Sequence, residues 1–139
     1  MSELVKSANR GDRERVLELL GASEHVKAEL DLALARACCS DHLEVAEVLL
    51  QHGADPNGQY ETAEDEPDYG PIILASCEFL CGGGVAFLLR HGADPNGNPP
   101  ESGRPQACTP LEMVRNSYMK NEDARDECER LLLEAGATG

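Results

Sequence analysis

Apolar residues recur at helical spacing in several short stretches of the chain, and each stretch is closed by similar punctuation. From Asp41 to Leu50, the residues Val45, Val48 and Leu49 fall on one face of a helix, and near the C-terminus Ala124, Cys128, Leu131 and Leu132 do likewise. The apolar run from Val45 to Leu50 leads into His52-Gly-Ala-Asp-Pro-Asn-Gly58. The run from Val85 to Leu89 leads into His91-Gly-Ala-Asp-Pro-Asn-Gly97, a seven-residue identity displaced by 39 positions. A fainter copy, Leu131-Leu-Leu-Glu-Ala-Gly-Ala137, closes the chain.

The endings predict backbone geometry. Gly53, Gly92 and Gly136 are suited to the left-handed conformation that terminates a helix, and Pro56 and Pro95 cannot continue one. Helix starts are legible as well. Thr109-Pro-Leu-Glu112 combines a capping hydroxyl, a proline at the first helical position and a glutamate three residues after the cap. Asp41-His-Leu-Glu44 repeats the cap-plus-glutamate pattern, and Asp12 follows Gly11 at the equivalent place in the first unit. The predicted unit is helix, short turn, helix, then an irregular loop. Such a pair cannot bury both of its sides alone, so neighbouring pairs must stack.

These residues resemble the ankyrin-repeat family, whose unit is similar to Thr-Pro-Leu-His, Ala-Ala, a glycine turn, a Val/Leu helix and Gly-Ala-Asp-x-Asn. The best match runs from Leu32 to Asn57, through Ala37, His42-Leu-Glu-Val45, Leu49-Leu50 and Gly53-Ala-Asp-Pro-Asn57. The first unit matches through Ala8 to Asp12, Val16 and Leu19-Leu20, and the third through Pro71-Ile72, Ala75 and Val85. The fourth matches through Thr109 to Glu112 and Leu131 to Gly136. It carries about half a dozen extra residues near Ser117 to Glu122, as suits a capping repeat. The resemblance implies an all-α solenoid of about four stacked helix-turn-helix repeats, roughly 1–22, 23–57, 68–96 and 108–137, in a single domain 1–139. Two extended inter-repeat loops, 58–69 and 97–108, interrupt it.

Three departures from the family pattern carry expectations. Val5, Ala35, Ile73 and Glu112 are aligned where the family places its histidine, which puts the hydrogen bonds between neighbouring turns in doubt. Gly82-Gly-Gly84 falls at the start of the third unit's outer helix. Each helical glycine costs about 1 kcal/mol relative to alanine, so that helix is expected to start late or fray. The two long loops are expected on the binding side.

Charge narrows the partners. Acidic residues outnumber basic ones 26 to 12, for a formal charge of -14. That charge repels nucleic acid and anionic lipid, favours a monomer, and is compatible with a partner bearing a basic surface. The N-terminus has no apolar signal region and no apolar run is long enough to span a bilayer, so an intracellular, cytoplasmic location is expected, with the nucleus left open. With 41% hydrophobic residues, two Phe and no Trp, the core must be Leu, Val, Ile and Ala.

Candidate chemistry changes this picture little. Six cysteines without a secretory signal read as free thiols. Cys39 and Cys77 align on adjacent units, but stacked helices lie roughly 8 to 10 Å apart, too far for a disulfide without backbone movement. Cys77 and Cys81 lack the CxxC or His partners of a zinc site. The Asp55-Pro-Asn57 segment with Glu66 resembles a calcium loop, yet Tyr60 stands where the sharp turn demands glycine. His52 and His91 precede the helix-ending glycines and read as caps. No nucleophile triad, phosphate loop or His-Glu-x-x-His is present, so neither catalysis nor a cofactor is expected.

What the resemblance implies is a concave surface of loops and inner helices that binds another protein. Tyr60, Glu61, Asp65, Glu66 and Tyr69 are the candidates on the first loop, where five carboxylates lie between two tyrosines. Arg104 and Gln106 are the candidates on the second loop, and Glu78 and Asn116 those on inner helices. The alternative is an acidic inhibitor or nucleic-acid mimic that occupies a basic groove of a target protein. An enzyme with a pocket of perturbed His or Cys groups is a third reading.

Overall fold

The computed structural model describes residues 2–60, 70–97 and 108–138. It is built of α1 (Glu3–Arg10), α2 (Arg13–Ala22), α3 (Lys27–Cys39), α4 (Leu43–Gln51), α5 (Ile73–Glu78), α6 (Gly82–Arg90), α7 (Pro110–Arg115) and α8 (Glu122–Glu134). Two residue pairs, β1 (Gln59–Tyr60) and β2 (Gly70–Pro71), form a short antiparallel ladder. The architecture is all-α, as the sequence pattern predicts. The odd-numbered helices stack on one another in chain order as an inner row, and the even-numbered helices do the same as an outer row. Each outer helix also packs on the inner helix that precedes it. Between the rows Leu4, Leu34, Leu49, Ile72, Leu88, Leu111 and Leu132 are all less than 2% exposed.

One turn is repeated at the end of three inner helices. The amides of Gly11, Asp41 and Leu80 donate to the carbonyls of Ala8, Cys38 and Cys77, and the next amides, of Asp12, His42 and Cys81, reach Ser7, Ala37 and Ser76. The turning residues have φ of 77°, 62° and 51°, two of them without the freedom of glycine. This corrects the reading of Asp41 as a helix cap: it is the turning residue, and α4 begins after His42 with no side-chain cap bond. Asp12 does cap α2, accepting from the Arg15 amide at 3.1 Å.

The same turns fix the equivalences between units. Cys38, not Cys39, is the counterpart of Cys77; both are fully buried, whereas Cys39 is partly exposed. At the histidine position, three residues before Ala8, Cys38 and Cys77, stand Val5, Ala35 and Leu74, each no more than 1% exposed. Leu74 thus replaces the expected Ile73. Glu112 keeps its place, third after the Thr109 cap as Val5 is third after the Ser2 cap, and completes the predicted capping box: its amide donates to Thr109 Oγ1 at 3.2 Å, and its carboxylate accepts from the Thr109 amide.

The expected fraying at Gly82-Gly-Gly84 is also overturned, because α6 begins at Gly82. A Cβ on Gly84 would lie 2.2 Å from the Cys38 carbonyl oxygen, and one on Gly83 2.3 Å from Asp41 Oδ1. The glycines let α6 approach α3 and its turn closely, and tertiary packing outweighs their poor helix propensity.

The outer helices end as predicted, with Gly53, Gly92 and Gly136 at φ of 103°, 96° and 106°. In place of histidine-mediated links, asparagine side chains join successive endings. Asn57 Oδ1 accepts from the Asp94 amide at 2.8 Å while its Nδ2 donates to the Gly92 carbonyl at 2.9 Å. Asn96 repeats this with the Thr138 amide at 2.9 Å and the Gly136 carbonyl at 3.1 Å. Within the second helix pair the buried Asp31 of α3 makes a matching bond, accepting from the Asp55 amide at 2.8 Å and from Lys27 Nζ at 2.7 Å. Asn57→Ala would leave one donor and one acceptor of the next unit without this partner. It is expected to lower stability by about 1 kcal/mol, with Asn57→Asp in between because it keeps the acceptor. Urea midpoints of the two variants check this.

Candidate functional site

The calls Glu61, Asp65, Glu66, Tyr69, Arg104 and Gln106 lie outside the described residues, as does the side chain of Tyr60. The backbone of Tyr60 is described and pairs with Gly70, so the base of the acidic segment is tied by the β1–β2 ladder, and β1 packs on α3.

The other two calls, Glu78 and Asn116, come together at the C-terminal ends of neighbouring inner helices. Ser117 Oγ donates to the Glu78 backbone carbonyl at 2.5 Å, which fixes the α7 end against the α5 end. Burial raises the pKa of the Glu78 carboxyl above its ordinary value, and the Arg36 guanidinium on α3 opposes that shift. Asn116 is exposed and ends α7, its amide bonded to the Glu112 carbonyl.

One residue after Glu78 and two after Asn116 stand aromatic rings that sequence reasoning passed over. Phe79 is 39% exposed and Tyr118 67% exposed, two of the few large apolar side chains left to solvent among the described residues. Exposed aromatic residues beside partly desolvated polar groups are the composition of protein-contact sites. The only sequence signal for Tyr118 was the set of extra residues between α7 and α8.

That insertion is organised by Arg125 of α8. Its Nη1 donates to the carbonyls of Val114 and Arg115, and its Nη2 to those of Ser117 and Met119 at 3.2 and 2.8 Å. One guanidinium thereby satisfies the carbonyl end of α7 and shapes the chain that carries Asn116 and Tyr118. The same face continues toward the N-terminus, where Ser40 Oγ donates to Asn9 Oδ1 at 3.1 Å across α3 and α1.

The outer row carries an open groove of about 520 Å³ between α4 and α6, reached by Arg13 of α2. Glu44, Glu47 and Arg90 line it, with charges of both signs and no convergent set of reactive groups. Among the described residues no three His, Cys, Asp or Glu side chains are grouped to hold a metal ion. Burial raises the pKa of each thiol, most of all Cys77 and Cys38, and to about 11 for Cys128. Thiols held in the protonated form are poor nucleophiles. His52 Nδ1 lies 2.9 Å from the Val48 carbonyl, consistent with a cap, while His91 rests against Phe87 with ring centroids 4.5 Å apart.

The family model of the ankyrin repeat matches residues 30–60, the segment through α3, α4 and β1. The chain contains an ankyrin repeat. No curated protein matches the chain in sequence. Ankyrin repeats serve as protein-interaction modules, and no helix among the described residues is long and apolar enough to cross a membrane.

Proposed function

We propose that this chain is a non-catalytic adaptor that binds a protein partner through its inner-row face and its two long loops. The observation that supports this reading is the exposure of Phe79 and Tyr118 close in sequence to Glu78 and Asn116, at the α5 and α7 ends that Ser117 ties together, with Arg125 holding the chain around Tyr118. A rigid array presents such groups with little loss of conformational freedom on binding. Tyr60, Glu61, Asp65, Glu66 and Tyr69 would extend the contact on one loop, and Arg104 and Gln106 on the other. The formal charge of -14 suits a partner with a basic surface and favours a monomer over a self-associating chain.

The same charge favours, as second reading, an acidic inhibitor that fills a basic groove of its target. Three immobilised proteins separate the two in a native lysate at low and high salt: the wild type, a Phe79→Ala/Tyr118→Ala variant, and a variant with Glu61, Asp65 and Glu66 changed to Ser. The adaptor reading expects a discrete protein retained by the wild type at high salt, with at least about tenfold less on the aromatic variant. Capture that vanishes with salt and depends on the carboxylates alone would favour the inhibitor. Equal capture by all three would overturn both sites.

A further inference from the structure

The first junction between helix pairs lacks the Gly-Ala-Asp-Pro-Asn ending of the later ones, and a histidine holds it. His25, in the connection between α2 and α3, uses both ring nitrogens. Nδ1 meets the Glu29 carboxylate on α3, and Nε2 lies 3.1 Å from the Leu19 carbonyl in the last turns of α2. Its side chain is only 14% exposed and that of Glu29 23%. Both partners can only accept. A neutral imidazole carries a single N–H, so it can serve one of them and must turn a lone pair toward the other; the imidazolium serves both. The cation also faces the negative end of α2 and the charge of Glu29.

We propose that His25 is a proton-operated clasp that fastens α2 to α3 when charged and loosens the first helix pair when it deprotonates. The charged and titratable neighbours all bear on this. Glu29 on α3 and Glu24 in the connection favour the cation, while His52 at the end of α4 borders the same small recess with Leu20, Ser23 and Leu30. The hydroxyl of Ser23 lies 3.5 Å from Nε2 and is free to accept or donate, so it does not reverse the preference. The bond to the Leu19 carbonyl is the foremost cause raising the His25 pKa above 6.5, with the Glu29 contacts also raising it and burial opposing them. A raised value means that the contribution is complete below the unfolded pKa and is lost as pH rises through the folded one.

The test is made on the full chain, uniformly labelled with ¹⁵N. Long-range correlation spectra of the imidazole ring, recorded from about pH 5 to about pH 9, read its protonation directly. His25 is expected to show two protonated nitrogens at neutral pH and to titrate above the value it has in urea. Amide protection factors in α2, corrected for intrinsic exchange, are expected to fall with that titration. The fall should be about tenfold for each unit by which the folded pKa exceeds the unfolded one. His25→Gln should abolish this pH dependence, and Glu29→Gln, which keeps an acceptor but removes the charge, should bring the ring's titration down. A ring with one protonated nitrogen below the urea pKa would overturn the clasp, and so would wild-type α2 protection that matches His25→Gln at every pH.

Discussion

Replacing Gly84 with alanine is expected to destabilise the protein by about 3 kcal/mol, the reverse of what helix propensity demands. By propensity alone, alanine inside α6 would be worth about 1 kcal/mol in the other direction. The added Cβ, however, would sit 2.2 Å from the Cys38 carbonyl oxygen, 2.8 Å from its carbon and 2.8 Å from Ser76 Oγ. A carbonyl in the repeated turn after α3 cannot retreat without moving that helix, whose Leu34, Ala37 and Cys38 are fully buried. Gly82 is the control, because the atoms nearest to its Cβ would be those of the Glu127 carboxylate, at 2.9 to 3.0 Å. That side chain can swing into solvent, so Gly82→Ala is expected to be neutral or stabilising by up to about 1 kcal/mol. Urea denaturation of the two variants beside the wild type gives the answer. A Gly84→Ala midpoint at or above the wild type would refute the close approach of α6 to α3.

Arg125→Ala is expected to lower stability by about 2 kcal/mol and to weaken partner capture at the same time. Four carbonyls, those of Val114, Arg115, Ser117 and Met119, share the guanidinium, and the side chain is 16% exposed. Water can take over at the exposed groups, but no single replacement bridges the end of α7 to the chain beyond it. Arg125→Lys should not restore the wild type, since an ammonium lacks the planar fork that spans these acceptors. Hydrogen exchange over the α7 end, together with thermal unfolding, checks the structural half. Unchanged exchange at Ser117 and Met119 in Arg125→Ala would show that the insertion holds its shape without the arginine.

How much could be read from the sequence depended on whether the cause was local. The endings at Gly53, Gly92 and Gly136 and the capping box at Thr109 were legible because cap and turn chemistry lies within a few residues. Asp41 was misread for the same reason: Asp before an apolar helix is a cap by local rules, and only the stacking of α4 on α3 makes it the turning residue. The role of Gly84 is set by a carbonyl 46 positions earlier in the chain, which no local pattern announces. Glu78 and Asn116 were candidates through the family pattern of inner helices, and the structure places them at the ends of α5 and α7. Phe79 and Tyr118 were missed because an aromatic residue beside a helix end reads as core until burial is known.

The asparagine rungs at Asn57 and Asn96 have a consequence for how such a chain can change. Each rung fastens one outer-helix ending to the next at fixed distances of 2.8 to 3.1 Å. Residues added or exchanged in the long connections are expected to leave that register in place, because doubling the length of a flexible connection costs only about 0.6 kcal/mol. The scaffold and its variable segments are therefore separable inheritances: new recognition can be tried in the connections while the stack beneath stays in tune.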